Sequence, residues 1–423
     1  MHDHPTLAVT TLGCRTNQAE TAEWVARLSH VLALAPPGHE ADVVLIHTCS
    51  VTHEADRQSF QAVRRAHRRH PGARIVVTGC SASQHREAYE ALDGVALVAP
   101  HDARDIVVQA VTSWYGARDR GWVPPSPQES GHSRAWLKVS EGCNNRCSFC
   151  IVPSLRGGEE SLPSEELARR ARVLAEAGYR EIVLTGTHLG GFRDAHGGDL
   201  TALLGRLLEA TPDEVRFRLS SIEPIDFPAR LAAMLAHPRV CPHVHLCLQS
   251  GSSAVLARMR RRYHADRYRQ IVSGLRSVRP DVTLTTDVIV GFPGETEDEF
   301  QHTLAFVREI GFAGIHPFPF SVREGTHAAT LPDRVDPVTT GERMDRLMAL
   351  AEKLRADWMA SFVGREVEAV LERTATEMRP GTSDHGLRVR VPAHGTRAGE
   401  RWRLRVTRVD DTGVEAELLE RLG

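Results

Sequence analysis

Three cysteines within one short segment restrict the chemistry and the fold of this chain more than any other feature. Cys143, Cys147 and Cys150 form a C-x3-C-x2-C segment directly after a predicted strand at 136–139. Thiols this close together can converge on one metal centre, but three of them leave a fourth position open. Structural zinc sites close their shell with four protein ligands, whereas a [4Fe-4S] cluster held by three cysteines keeps one iron free for a small molecule. The segment therefore predicts an open iron–sulfur centre, with a zinc site or buried thiols as the alternatives.

Three further cysteines each follow a predicted strand and precede a predicted helix. In chain order these strands and cysteines are 7–12 with Cys14, 42–47 with Cys49, and 74–78 with Cys80. Alternating strands and helices predict an open parallel α/β sheet, and the carboxyl ends of its strands meet at one edge. We therefore expect a second three-cysteine site there. The alternative is three thiols that pack as small hydrophobic side chains, since free cysteine is often buried.

Strands and helices also alternate in the middle of the chain. Strands are predicted at 136–139, 181–185, 215–219, 243–248, 282–288 and 314–320. Helices are predicted at 163–177, 199–209, 252–277 and 297–309. Six parallel strands of this kind predict a partial (β/α) barrel, similar to part of a TIM barrel, whose chemistry lies at the carboxyl ends of the strands.

The cysteine motifs resemble those of a known enzyme family. The spacing of Cys143, Cys147 and Cys150 is similar to that of the radical S-adenosylmethionine (SAM) enzymes, in which SAM chelates the open iron. The sequences around Cys14, Cys49 and Cys80 resemble the N-terminal domain of the methylthiotransferases, which holds an auxiliary [4Fe-4S] cluster. The chain departs from that pattern at His47, where the family usually has Asn, and at Ser81, which begins Ser-Ala-Ser in place of Tyr-Ala-Gln. These departures spare the ligands and affect the side chains behind them.

The resemblance implies two [4Fe-4S] clusters and SAM as cofactors, with all six cysteines as metal ligands and catalytic residues. The cluster on Cys143, Cys147 and Cys150 would cleave SAM to a 5′-deoxyadenosyl radical that abstracts hydrogen from C2 of adenine. The other cluster would supply an already methylated sulfur. The residues after Cys14 look most like the branch that acts on N6-threonylcarbamoyladenosine next to the anticodon of tRNA. Branches acting on isopentenyladenosine or on a ribosomal-protein aspartate are the alternatives, and a non-catalytic RNA-binding metal protein is another.

Further residues at predicted strand ends are candidates for the SAM pocket. The turn at Gly186 is similar to the one that meets the amino group of SAM, and Glu223 is placed to accept hydrogen bonds from a ribose or to be a surface carboxylate. The segment from Asp287 to Gly291 resembles the family's adenine-side motif. The full set of candidates is Gly186, Thr187, His188, Ser221, Glu223, Gln249, Asp287 and Gly291.

The end of the chain is rich in short alternating strands and arginine. Strands at 364–372, 386–391, 401–409 and 413–418 predict a small β-barrel, which resembles the RNA-binding TRAM domain. A second arginine cluster, residues 258–262 beside Tyr263, predicts an RNA-backbone contact or an exposed helix end.

The predicted organisation is a methylthiotransferase domain at 1–115, a linker at 116–134, a radical SAM domain at 135–345, a connecting helix at 346–361 and the barrel at 362–423.

Composition adds limits on the cellular context. No apolar run is long enough to cross a bilayer, so we expect a cytoplasmic protein without membrane contact. The net charge is −2, so RNA binding must come from local basic patches. In that reducing compartment Cys241 and Cys247 are predicted to be packed thiols rather than a disulfide. The expected partners are a tRNA anticodon stem-loop and an electron donor such as flavodoxin or ferredoxin.

Overall fold

The computed structural model describes residues 5–36, 38–101, 104–119 and 121–423, without the side chain of Arg104. Residues 1–4, 37, 102 and 103 of the predicted first domain and residue 120 of the predicted linker lie outside these ranges. The chain begins with a five-stranded sheet of order β2-β1-β3-β4-β5 in which all neighbours are parallel. Its strands are β1 (Thr6–Thr11), β2 (Ala33–Leu34), β3 (Val43–Thr48), β4 (Arg74–Gly79) and β5 (Val95–Ala99). Its helices are α1 (Arg15–Leu28), α2 (His53–Arg69), α3 (Cys80–Gln84), α4 (Arg86–Glu90) and α5 (Arg104–Trp114).

Helices cover both faces of this sheet, which explains why its central strands are continuous apolar runs. All six residues of β3 are buried, as expected for a parallel strand with helices on either side. Ile46 and Val77 pack with Val63 of α2 on one face, whereas Leu45 and Val76 pack with Trp24 of α1 on the other. The predicted open parallel sheet is therefore confirmed.

The central part of the chain forms an arc of parallel strands. Its strands are β6 (Ala135–Glu141), β7 (Glu160–Ser161), β8 (Glu181–Gly186), β9 (Arg216–Leu219), β10 (Ser221–Ile222), β11 (His243–Leu246), β12 (Thr283–Val290) and β13 (Gly314–Pro319). Its helices are α6 (Pro127–Ser130), α7 (Val152–Arg156), α8 (Ser164–Glu176), α9 (Leu200–Ala210), α10 (Ala229–Met234), α11 (Ser253–Arg258), α12 (Ala265–Val278) and α13 (Glu297–Ile310). The orders are β7-β6-β8-β9 and β10-β11-β12-β13, with only β7 antiparallel. An isolated parallel bridge pairs Phe217 of β9 with Val240, three residues before β11. This arc confirms the predicted partial barrel.

One predicted helix of this region is wrong. The sequence favours a single helix over 252–277, but the structure has α11 and α12 with a turn between them. Arg260 in this turn has a left-handed backbone conformation, with φ of 57°, and Tyr263 donates a hydrogen bond to the carbonyl oxygen of Cys247 at 2.8 Å. Hydropathy along a helix does not record such long-range contacts, so it joins the two helices into one.

The chain ends in a closed barrel of order β14-β15-β16-β18-β17. Its strands are β14 (Glu366–Leu371), β15 (Met378–Ser383), β16 (Arg388–Pro392), β17 (Arg401–Asp410) and β18 (Gly413–Arg421). This confirms the predicted small barrel, although β15 was missed because its Pro380-Gly381 pair is typical of a turn. Helix α14 (Pro337–Ala360) precedes the barrel and runs without interruption through residue 345, the predicted boundary. None of the helices in the described part of the chain has the length and apolarity needed to cross a membrane.

Candidate metal centres and the cavity between them

Cys14, Cys49 and Cys80 come together at the carboxyl edge of the first sheet, in the turns after β1, β3 and β4. Two glycines allow these turns to approach each other. Gly13 has a φ of +94°, and a side-chain carbon at this position would lie 2.7 Å from the Cys49 sulfur. Gly79 has a φ of +103°, and the same addition there would lie 2.4 Å from the Thr48 carbonyl oxygen. Any other residue would be strained at both positions and would push the three thiols apart.

A buried ion cluster supports this first set of thiols. Arg156 donates a hydrogen bond from Nε to the Cys80 sulfur at 3.3 Å and from Nη2 to Asn17 Oδ1 at 3.0 Å. Its Nη1 lies 3.0 Å from Glu20 Oε1, and Lys138 Nζ lies 2.5 Å from the same oxygen. Burial alone would raise the pKa of Glu20, but its neighbours His47, Arg156 and Lys138 hold that pKa well below its usual range. Glu20 is therefore a carboxylate that fixes both cations beside the thiols.

The two departures from the family pattern belong to the layer behind the thiols. His47 Nε2 lies 3.3 Å from Glu20 Oε2, and its Nδ1 lies 3.0 Å from Thr21 Oγ1. Burial lowers the pKa of His47. Ser81 is buried and shares a hydrogen bond of 2.9 Å with the Tyr89 hydroxyl. His47 thus helps to position the carboxylate that holds Arg156, and neither residue displaces a thiol.

Cys143, Cys147 and Cys150 lie in the loop between β6 and α7, at the carboxyl end of the barrel strands. Arg261 donates from Nη1 to the Cys147 sulfur at 3.1 Å and also pairs with Glu223. The sequence grouped Arg261 with its neighbours as an RNA-backbone contact or an exposed helix end, and both predictions are wrong for its buried side chain. They are wrong because the turn after α11 folds Arg261 inward while Arg260 stays exposed.

Both sets of thiols line one cavity of about 600 Å³, within the range of small-molecule sites. Most of the candidate SAM-pocket residues line the same cavity. These are Gly186, Thr187, His188, Ser221, Glu223, Gln249 and Asp287. Gly291 is not among the lining residues, because its N–H donates to Glu295 Oε2 at 2.8 Å and its α-carbon packs against Thr340. A second cavity of about 730 Å³ lies between the first sheet and β6 and contains no cysteine.

The donor set fits iron–sulfur clusters. All six cysteines are free thiols, and thiolates suit soft metals and iron–sulfur clusters. Burial raises the pKa of Cys49 and Cys150 to about 12, so metal binding must displace their protons. Each set also has one arginine that donates to a sulfur, Arg156 in the first and Arg261 in the second. The side chains can therefore hold two clusters that share one opening.

The candidate residues at the barrel mouth are held by neighbours of their own. His188 lies between two carboxylates, with Nδ1 2.5 Å from Glu159 and Nε2 2.6 Å from Asp226. Burial opposes protonation, but these two hydrogen bonds raise the pKa of His188. At Gly186 an added side-chain carbon would lie 2.2 Å from Ser140 Oγ, so the glycine is needed for contact between β8 and β6.

Two histidines of the cavity were missed by the sequence argument. His245 Nε2 lies 3.3 Å from Asp287 Oδ2, and the rings of His245 and His316 stack with their centroids 5.7 Å apart. Burial alone would raise the pKa of Asp287, but His245 and His316 lower it. A signal for His245 was present in the sequence, because it occupies the same face of β11 as His243 and alternates with the apolar Val244 and Leu246.

Comparison with known proteins agrees with this geometry. Residues 137–307 match the profile of the Radical SAM superfamily, and residues 6–99 match that of Uncharacterized protein family UPF0004. The threonylcarbamoyladenosine tRNA methylthiotransferase MtaB of Bacillus subtilis is 36% identical over 88% of this chain and 86% of the relative. The tRNA-2-methylthio-N(6)-dimethylallyladenosine synthase of Frankia alni is 37% identical over 86% of this chain and 76% of the relative.

A solved structure supports the fold alone. The radical SAM methyltransferase TsrM of Kitasatospora setae aligns with a TM-score of 0.52 and 13% identity over 74% of this chain and 75% of that one. The sequence relatives decide the family, because they are 36% and 37% identical to this chain over most of both proteins. The chain therefore belongs to the radical SAM methylthiotransferases, and it is an enzyme of this type.

Proposed function

We propose that this enzyme converts N6-threonylcarbamoyladenosine, next to the anticodon of tRNA, to its 2-methylthio derivative. The observation that carries the proposal is the single cavity lined by two sets of three thiols. One set alone would explain SAM cleavage, whereas sulfur insertion needs a second centre facing the same substrate. Membership of an enzyme family sets aside the alternative of a non-catalytic RNA-binding metal protein.

In this proposal Cys143, Cys147 and Cys150 hold one [4Fe-4S] cluster with SAM, and Cys14, Cys49 and Cys80 hold a second. When bound, these groups supply the activation of an unreactive C–H bond and the methylated sulfur. The protein then contributes position and the exclusion of water. Phe149 lines the cavity between the thiols and packs against Phe292, with ring centroids 6.5 Å apart.

The choice of substrate rests on the sequence next to Cys14, because overall identity does not separate the branches. Relatives named for threonylcarbamoyladenosine and for dimethylallyladenosine are 36% and 37% identical to this chain. The resemblance of the segment from Gly13 to Glu20 to the threonylcarbamoyladenosine branch favours the first substrate. The dimethylallyladenosine branch is the second candidate.

A tRNA substrate requires a surface that follows the RNA backbone. Arg146, Arg260 and Arg262 lie near the thiols and line a small cleft beside Cys147, where they are placed to contact phosphates of the anticodon loop. The terminal barrel is a further candidate, although most of its arginines pair with carboxylates, as Arg405 does with Glu366 at 3.0 Å. Such exposed pairs are weak and exchange readily for phosphate contacts. An electron donor such as flavodoxin or ferredoxin, and a cytoplasmic location, complete the proposal.

The test is a comparison of substrates with the anaerobically reconstituted enzyme. Anticodon stem-loops carrying threonylcarbamoyladenosine, isopentenyladenosine or plain adenosine are incubated with SAM and a reductant, and their nucleosides are measured by mass spectrometry. We expect one methylthio group to replace hydrogen in the first stem-loop only. Modification of the isopentenyladenosine stem-loop alone would assign the enzyme to the other branch.

A further inference from the structure

An arginine without a partner lies in the cavity between the two sets of thiols. Arg15 follows Cys14 directly at the start of α1 and lines the cavity together with the six cysteines of the two sets and with Cys247. Its Nη1 is buried and has no hydrogen-bond partner among the described residues. Arg15 as a whole is half-buried, but a charged donor such as Nη1 that is removed from water without an acceptor costs free energy, so its position indicates an anion that binds beside it.

The nearest carboxylates are already engaged. Glu181 lies 2.6 Å from Arg216, 2.7 Å from Arg218 and 3.8 Å from Arg134. Three cations therefore surround Glu181, of which Arg216 also lies 4.0 Å from Glu368, and Arg15 adds a fourth positive charge to the same region. The region can accept a negative charge from outside the chain.

Asp287 also faces Arg15, but it is held by a histidine. His245 Nε2 lies 3.3 Å from Asp287, and Arg15 attracts Asp287 only as a nearby charge. His245, Asp287 and His316 come from within strands β11, β12 and β13, so this part of the cavity lies deeper than the thiols at the strand ends. Arg15 therefore belongs to a polar recess below the thiols.

The first set of thiols has a different arginine as its neighbour. Arg156 contacts the Cys80 sulfur directly, and it is Arg156 whose charge acts on Cys49 and Cys80. The charged groups that act most strongly on Arg15 are Arg218, Arg134, Asp287 and Glu181. A bound cluster thus has its own cation, and the guanidinium of Arg15 remains for another anion in the cavity.

We infer that Arg15 binds the carboxylate of the threonyl group of the substrate nucleoside. This rests on the proposed function, in which the substrate is N6-threonylcarbamoyladenosine. The carbamoyl link uses the amino group of threonine, so its carboxylate is free, whereas a dimethylallyl group is apolar. C2 and C6 of adenine flank the same ring nitrogen, which places the substituent on N6 close to the carbon that is modified. Arginine binds carboxylates with two parallel hydrogen bonds, and it selects the acidic substrate.

The experiment compares stem-loops that differ in this one charge. Binding of labelled anticodon stem-loops to the reconstituted enzyme without SAM is measured by fluorescence anisotropy, for threonylcarbamoyladenosine, for its methyl ester and for plain adenosine. We expect the wild-type enzyme to bind the acid about 10- to 100-fold more tightly than the ester, as for a charged hydrogen-bonded pair. Arg15→Gln should abolish this preference and leave binding of the ester unchanged, and Arg15→Lys should retain part of it.

Arg260→Gln is the matched control, because Arg260 is exposed outside the cavity. It should weaken all three stem-loops equally and keep the preference for the acid. The inference is overturned if the wild type has no such preference, if Arg15→Gln retains it, or if Arg15→Gln weakens all three stem-loops alike, as a phosphate contact would. The inference is also overturned if Arg15→Gln changes the electron paramagnetic resonance signal of the auxiliary cluster while the preference for the acid over the ester stays intact. Methylthiolation of the isopentenyladenosine stem-loop alone by the wild type would refute the proposed function itself.

Discussion

Arg156 Nε donates a hydrogen bond to the Cys80 sulfur at 3.3 Å, although the two residues are separated by 76 positions in the chain. Arg156 ends α7, the helix that follows the loop of Cys143, Cys147 and Cys150. The same guanidinium pairs with Glu20 of α1 and with Glu141 of β6. One side chain therefore couples the two sets of thiols, and a change in it should be felt at both.

Replacing Arg156 should weaken the auxiliary site first. Arg156→Gln removes the donor to Cys80 and leaves Lys138 as the remaining close cation on Glu20, so cluster affinity at this site should fall about 10- to 100-fold. Iron analysis after reconstitution and mild chelation measures the effect. Arg156→Lys, which keeps the charge, should lose less iron. Equal iron retention by both variants and the wild type would contradict a supporting role for Arg156.

The number of clusters can be counted. Two [4Fe-4S] clusters predict about eight irons per chain after anaerobic reconstitution. Cys49→Ala should reduce this to about four and abolish thiolation while leaving SAM cleavage, because the radical SAM thiols are untouched. Cys143→Ala should abolish formation of 5′-deoxyadenosine.

Cys241→Ala is the matched control for both cysteine variants. Cys241 is buried outside the cavity, with its sulfur 3.9 Å from Glu181, so iron content and both activities should stay at the wild-type level. If Cys49→Ala still thiolates tRNA, the assignment of SAM cleavage to one set of thiols and of sulfur insertion to the other is wrong.

Arg261 should set the reduction potential of the radical SAM cluster. A cationic donor to the Cys147 sulfur stabilises the electron-rich reduced state, so Arg261→Gln should lower the potential and make reduction of the cluster by the electron donor about 10-fold or more less favourable. A redox titration followed by electron paramagnetic resonance measures the potential directly. Arg262→Gln, an exposed neighbour, should leave it unchanged, and an unaltered potential in Arg261→Gln would remove this role.

Glu181 should make the stability of the enzyme depend on pH in the acid range. Burial alone would raise the pKa of Glu181, but Arg218 and Arg216 hold it far below the usual range. A carboxylate with a depressed pKa stabilises the folded state at neutral pH, and this contribution is lost as the pH falls below about 4.3 and through the folded-state pKa. Glu181→Gln should therefore cost about 3–5 kcal/mol at neutral pH, because it leaves buried arginines unpaired.

Urea unfolding at neutral pH and in acid measures this dependence, and the gap between wild type and Glu181→Gln should narrow in acid. The same arginines connect the barrel strands to the terminal barrel, since Arg218 donates to the Ser383 carbonyl oxygen at 2.7 Å. Proteolysis between α14 and β14 should consequently be faster in the variant. A gap that is constant with pH would exclude Glu181 as the titrating group.

The local motifs of the chain were sufficient to predict both sets of thiols and the fold around them. Short segments of backbone fix the positions of cysteines at C-x3-C-x2-C spacing and of cysteines that directly follow apolar strands. A parallel sheet places the carboxyl ends of its strands at one edge, independently of the rest of the chain. The alternation of strands and helices, likewise a local property, predicted the arc of barrel strands that β6 to β13 form.

Only the tertiary structure decided which charged side chains serve the thiols. Arg261 and Cys147 are 114 positions apart, and Arg261 differs from the exposed Arg260 only in the direction that one turn imposes. The surroundings of the Arg15 side chain depend in the same way on residues of β11, β12 and β13, which are far from Arg15 in the sequence. The sequence does not distinguish an arginine that is solvated from one that is paired or one that binds a ligand. The free energies of these states differ through desolvation and through the partners that packing brings together.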